Sequence, residues 1–229
     1  RNWIEFDIPN FDHNLRLTAG ARNDDGDPRG AGVECWQGHG CGVYTYNDSS
    51  HQVDDSGRTE FITFTIPGAP DFKFKLVGVE FSYVEGGDDA QIWVDDSLPS
   101  DNASAAVHLN NIDWDSDYTD NPNTACPSGN TNTCRIALVE GMEAYYAANS
   151  GDFSAPFDRF LNGVTLDDLF GTSFTFGGRF GESDNDWKIS AVFWEVSVAN
   201  EEDVPAPGML AMFGLMLGGL GVVRHRRGK

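Results

Sequence analysis

Three stretches of this chain place oxygen-bearing side chains at alternate positions: Asn23, Asp25 and Asp27; Asp113, Asp115 and Asp117; Glu182, Asp184 and Asp186. Hard cations take several oxygens from carboxylates and backbone carbonyls, and alternate residues on a tight loop can aim at one centre. Calcium is the cofactor these stretches suit; the plainer reading is three acidic, solvated turns. The second stretch opens like an EF-hand loop, but Tyr118 stands where that loop needs Gly and Thr124 where it needs Glu, so it is not that motif. A different chemistry attaches to Trp36, Trp114 and Trp187. Each sits beside polar loop residues, as exposed indoles do when they stack on sugar rings while Asp and Asn take the hydroxyls. The blander alternative is that these indoles cap the edge of a β core.

Catalytic constellations are missing. The chain has no Gly-x-Ser-x-Gly elbow and no Glu-x-Asp-x-x-Glu pattern. Glycoside hydrolysis needs two carboxylates at a set separation in a cleft, and among 36 acidic residues some pair qualifies by chance. No catalytic residue is assigned, and the expectation is a protein that is not an enzyme. Asn47-Asp48-Ser49 and Asn102-Ala103-Ser104 match a glycosylation pattern and carry no weight alone.

The formal net charge is −21, with 15 Lys and Arg against 36 Asp and Glu. Four of those basic residues lie in the last six positions, so the rest is more acidic still. A phosphate backbone would be repelled, which argues against nucleic acid as a partner. Such a surface suits cations and extracellular settings. The four cysteines form two close pairs, Cys35 with Cys41 and Cys126 with Cys134, each bracketing a loop of small and polar residues. Two local disulfides in an oxidising compartment are the simplest account. Zinc is the rival, but the spacings do not suit it and His39 is the only histidine between paired cysteines. Arg1 follows neither an initiator Met nor a leader in the given sequence, so a mature chain with its signal peptide removed is expected.

The elements that must hold these residues read as strands. Trp3 to Ile8 alternates, with Ile4, Phe6 and Ile8 on one face, and Leu15 to Ala19 repeats the pattern. Gly42 to Tyr46 is another strand. Thr59 to Ile66 gives the strongest signal, Ile62, Phe64 and Ile66 against Thr63 and Thr65. Pro67 to Pro70 turns the chain into Phe72 to Leu76, a strand that can continue through Val79, Phe81 and Tyr83. Glu85 to Asp89 then leads into Gln91 to Val94, which reads as a hairpin. Residues 95–135 are the least legible, and Ala137 to Asn149 is ambiguous between helix and strand. A short helix capped by Thr165 and running through Phe170 is expected. Strands resume at Ser173 to Phe176 and Lys188 to Val198, the last apolar on both faces and therefore central or covered. The fold class is an all-β antiparallel sandwich over residues 1–199, of jelly-roll or lectin-like type. An acidic, Pro-containing hinge follows over 200–208, and a hydrophobic helix with a basic end over 209–229.

That last segment has three parts in fixed order: Val204-Pro205-Ala206-Pro207, an uncharged run from Met209 to Val223, and Arg224, His225, Arg226, Arg227 and Lys229. The run has 15 residues, short of the roughly 20 a helix needs to cross a hydrocarbon core, and the basic end would stay cytoplasmic. The order resembles the PEP-CTERM sorting signal of proteins exported by Gram-negative bacteria, often makers of exopolysaccharide or biofilm. Ala206 replaces the family's usual acidic residue. The resemblance implies passage through the inner membrane, at least transient, and an exosortase-like processing enzyme acting near the Pro motif. Gly42-Val43, Glu60 to Phe64 and Gly87 to Asp95 also resemble a Gly-Val strand, a Thr- and Phe-rich strand and a Gly-Asp-Asp hairpin of that family's ectodomains. Three functions are weighed: a surface or matrix protein that assembles with its own copies into a homo-oligomer or filament; a calcium-dependent carbohydrate-binding module retained in exopolysaccharide; and, last, a secreted glycan hydrolase.

Overall fold

The computed structural model describes residues 3–8, 13–23, 26–37, 39–45, 51–54, 58–69, 72–84, 88–109, 133–137, 169–181, 186–198 and 213–216. Among them every regular element is a strand, and every pairing is antiparallel. The strands are β1 (Trp3–Asp7), β2 (Asn14–Asn23), β3 (Pro28–Arg29), β4 (Ala31–Trp36), β5 (Gly40–Thr45), β6 (Val53–Asp54), β7 (Arg58–Thr65) and β8 (Phe72–Ser82). They continue with β9 (Ala90–Val94), β10 (Val107–Leu109), β11 (Thr133–Ala137), β12 (Phe170–Gly171), β13 (Ser173–Gly177), β14 (Asp186–Val198) and β15 (Phe213–Met216). The first sheet runs β1-β2-β7-β13-β9-β10, with β3 on β2. The second runs β11-β8-β14-β5-β4, with β12 on β8 and both β6 and β15 on β14.

The two sheets share one core and are sandwich-like. Leu15, Leu17, Ile62, Phe64, Ile92, Phe174 and Phe176 come from the first; Val43, Phe74, Leu76, Phe81, Ile189 and Trp194 from the second. The alternation of β1, β2 and β7 sends these residues inward, as period-two patterning requires. Trp194 joins the layers. Its ring centre lies 5.3 Å from Phe64 and 6.0 Å from Phe174 in one sheet, and 5.0 Å from Phe74 in its own. These separations are the edge-on and tilted packings aromatic rings favour.

The longest pairing, β8 with β14, explains two puzzles of pattern. In β8 the inward residues switch from even (Phe74, Leu76) to odd (Val79, Phe81), and the register shifts there, opposite Phe193 and Trp194. In β14 they switch from Trp187 and Ile189 to Val192 and Trp194, and the register shifts between Ile189 and Ala191. Each shift is a bulge, two residues facing one, which lets an alternating strand change phase. The hydroxyl of Ser190, the extra residue of β14, donates to the Glu80 carbonyl (3.1 Å) and lies 2.9 Å from Glu80 Oε1. β14 is central, as its two apolar faces imply: β8 lies on one side, β5, β6 and β15 on the other.

Three expectations are corrected. β8 and β9 are not a hairpin, because they belong to different sheets and the link after β8 crosses the sandwich. Phe170 and Gly171 form β12 on Lys75 and Phe74 rather than ending a helix. Residues 213–216, expected inside a hydrophobic helix, are instead the strand β15, pairing with Ala191 to Trp194. β14 offers unpaired backbone groups beyond its short contact with β5, and a strand satisfies them where a helix would not. Among the described residues no helix is long and apolar enough to cross a membrane.

Candidate functional site

The β4–β5 hairpin anchors a run of aromatic and charged side chains on the outer face of the second sheet. Cys35 and Cys41 face each other across it, 4.0 Å apart at Cα, and are joined by a disulfide. The tight loop between them uses Gly40 at φ +88°, where any side chain would also strike the Ile189 carbonyl. With the hairpin fixed, Glu34 and Trp36 share one face of β4. Gly42 sits opposite Glu34, and the backbone of His51 crosses directly above it; a Cβ on Gly42 would collide with the His51 carbonyl oxygen. A glycine is required there because another backbone passes in contact.

That crossing inserts the His51 ring between two others. It stacks on Tyr44 (5.2 Å, 13° between planes) and meets Trp36 edge-on (5.2 Å, 70°). His51 holds φ at 54°, a left-handed conformation uncommon for a non-glycine residue. Its Nδ1 lies 3.0 Å from Glu34 Oε2, an ion pair only when the ring is protonated. The alignment is not that of a hydrogen bond, and Nδ1 has no hydrogen-bond partner.

On the other side of Trp36, Lys188 of β14 reaches up between two rings. Its Nζ is 4.4 Å from the centre of Trp36 and 4.3 Å from that of Tyr83. Tyr83 follows β8 and is a second left-handed residue (φ 58°). Its hydroxyl is 2.8 Å from His39 Nδ1, and the two rings are 5.3 Å apart. Ser82, paired with Lys188 in register, donates its hydroxyl to the His39 carbonyl at 2.6 Å and ties the disulfide loop to β8. The result is a continuous run, Tyr44, His51, Trp36, Lys188, Tyr83 and His39, across the outer face of the second sheet. Tyr44 and Tyr83 keep 45% and 36% of their surface exposed. Lys188 is 7% exposed. Burial pushes its ammonium below its ordinary pKa, against the opposing pull of the Asp186 and Glu34 carboxylates.

The third left-handed residue, Asp95 (φ 56°), is held by its side-chain bonds to the start of β13. Its Oδ1 accepts from Thr172 N (2.7 Å), Thr172 Oγ1 (2.8 Å) and Ser173 N (3.0 Å). Aspartate is among the non-glycine residues that enter this conformation most readily, and these three bonds hold it there. His51 and Tyr83 have no comparable side-chain capping role, and strain of this kind gathers where a surface is held for use.

Of the sequence-predicted residues, Trp36 lies at the centre of the run. Trp187 does not lie on the surface: it is fully buried, packs edge-on against Phe81 at 5.0 Å, and donates its indole N–H to the Asp89 carbonyl at 3.0 Å. The polar loop beside it concealed that it points inward from β14. Asn23 and Asp27 flank the β2–β3 turn, closed by Asn23 N to Asp27 O (3.0 Å) and Gly26 N to Asn23 O (2.8 Å). Asp186 opens β14 with its N–H donating to Asp88 Oδ1 at 2.9 Å. Among the described residues no group of three or more His, Cys, Asp or Glu is arranged to hold a metal ion. Asp25, Asp113, Asp115, Asp117, Glu182, Asp184, Trp114, Cys126, the Cys134 side chain and Val204, Pro205, Ala206 and Pro207 lie outside the described residues.

Sequence reasoning missed Tyr44, His51, Tyr83 and Lys188. A signal existed for Lys188, the one charge between Trp187 and Glu195 in a strand that is otherwise apolar there but for Ser190. None existed for His51, which enters the site only because the chain crosses Gly42. Set against known proteins, the chain matches no family model, no curated protein and no solved structure.

Proposed function

We propose that this chain is a non-enzymatic, exported cell-surface or extracellular-matrix protein whose sandwich, of jelly-roll or lectin-like type, binds carbohydrate on the outer face of its second sheet. The observation that carries the reading is the partly exposed run of Tyr44, Trp36 and Tyr83 around Lys188. Flat aromatic rings suit the C–H faces of sugars, and the Glu34, His51 and His39 groups at the same surface suit hydroxyls. The run contains no nucleophile aligned with a base, which is why binding rather than catalysis is proposed.

Export rests on other features: the Cys35–Cys41 bridge, the acidic body and the likeness of residues 204–229 to PEP-CTERM tails. These support an origin at the surface of a Gram-negative bacterium, passage through its inner membrane and an exosortase-like processing enzyme. A tail that enters a membrane must first leave β14, since β15 holds part of it. Calcium at the acidic turns and assembly into filaments are separable properties, and the aromatic face depends on neither.

Isothermal titration of the full chain with a panel of soluble neutral and acidic oligosaccharides tests the reading. Saturable binding that survives a chelator is the expected result. An absence of binding across the panel at millimolar sugar would remove it.

A further inference from the structure

Lys188 carries an inference of its own, resting on the carbohydrate reading. The residue is 7% exposed, and its ammonium, with neither hydrogen bond nor ion pair among the described residues, lies over two ring faces with its nitrogen still reaching solvent. The stem of the lysine is buried along the rings while its charged end stays at the surface, as long amphipathic side chains do. Two aromatic faces hold the cation in place without using its N–H donors. Asp186 and Glu34 act on it through their fields rather than by contact. Three N–H donors therefore remain available between the rings of half-buried Trp36 and exposed Tyr83.

We propose that this position receives the carboxylate of an acidic sugar, a uronic-acid residue whose ring lies along Tyr44, Trp36 or Tyr83 while its carboxylate meets the Lys188 ammonium. A sugar hydroxyl could accept the same donors. A carboxylate forms a charge-assisted bond about twice as strong and pairs with the ammonium's charge, which a hydroxyl does not. A body of net charge −21 gives an acidic polymer no long-range attraction. Recognition is therefore short-ranged and centred on this lysine, and Glu34, whose field reaches it, disfavours a second anionic group on the same ring.

The test is titration calorimetry of the full chain with trigalacturonate and with the same trimer after reduction of its carboxyls to alcohols. The acid form is expected to bind at least tenfold more tightly. In Lys188→Met the ratio of the two affinities should fall to about one, and in Lys188→Arg it should stay well above one, with circular dichroism confirming the fold of each. Equal affinity of the wild-type chain for the two trimers overturns the carboxylate assignment while leaving carbohydrate binding intact. A preference retained by a folded Lys188→Met chain overturns it as well. If the wild-type chain binds neither trimer nor any sugar of the wider panel, the underlying carbohydrate reading fails and this inference with it.

Discussion

The outer faces of the two sheets differ in how they treat the same kind of residue. On the first, Phe61, Trp93 and Phe180 cluster with ring centres 5.7 to 6.1 Å apart. The 95–106 segment seals them: Leu98 and Ala105 pack on the cluster, Asp101 O accepts from the Trp93 indole (3.2 Å), and Asn102 exchanges bonds with Phe180. Arg22 anchors the same segment through the carbonyls of Leu98 and Pro99. On the second, Trp36, Tyr44 and Tyr83 have no such lid among the described residues, and a lysine takes the place of one. Aromatic side chains that are capped serve the fold. Those left open, with two backbones held in left-handed conformations beside them, are the part of the surface the fold does not require for itself.

This contrast can be broken by experiment. The largest effect is expected on the sealed face. Trp93→Ala should cost about 3–5 kcal/mol, since it empties a fully buried volume; chemical denaturation reads this directly, and a loss under 1 kcal/mol would mean the lid is not a true part of the core. Next comes Cys35→Ala/Cys41→Ala. Closing so short a loop is worth about 2 kcal/mol by chain entropy, and the double variant should melt earlier and bind sugar more weakly. Unchanged binding would detach the hairpin from the site. Tyr44→Ala, on the open face, should shift stability by less than about 0.5 kcal/mol while weakening carbohydrate binding about tenfold, or about 1.4 kcal/mol. A large stability loss there would erase the distinction between the faces.

The smallest effect is a pH dependence. His108 on β10 pairs with Gln91 of β9 on the first sheet. Its pKa is held below the ordinary 6.5, first by burial and then by Arg179, against the Asn102 and Ala105 carbonyls and Asp89, which pull the other way. The folded chain binds this proton less readily than the unfolded one. The contribution to stability is whole above pH 6.5 and is lost as the pH falls below it. Denaturation midpoints between pH 7.5 and 5 should therefore decline more steeply in the wild type than in His108→Gln. Parallel curves would show that the lid leaves this imidazole as wet as any surface histidine.

Much of the scaffold was legible in the sequence, because alternation over Trp3 to Ile8, Leu15 to Ala19 and Thr59 to Ile66 is a local consequence of the pleat. The Cys35–Cys41 bridge was legible for the same reason, as a short-range pairing. What escaped depends on the third dimension. The β8–β9 link looks like a hairpin turn until both sheets exist. The phase changes in β8 and β14 look like ambiguity until the bulges opposite them are seen. Trp36 and Trp187 have similar polar neighbours, yet one is half-open and the other sealed, since only the direction of the strand decides. The site shares that property: its six members come from five separate places along the chain, and no spacing rule joins them.

The distribution of indoles has a practical corollary. Trp93, Trp187 and Trp194 are shielded from water, whereas Trp36 sits on the outer face of the second sheet beside Lys188 and Trp3 at the edge of the first. The molecule thus carries its own optical gauge. A ligand arriving at the lysine should tint the emission of one wet fluorophore and leave the shielded ones dark to the event, while unfolding recolours them all.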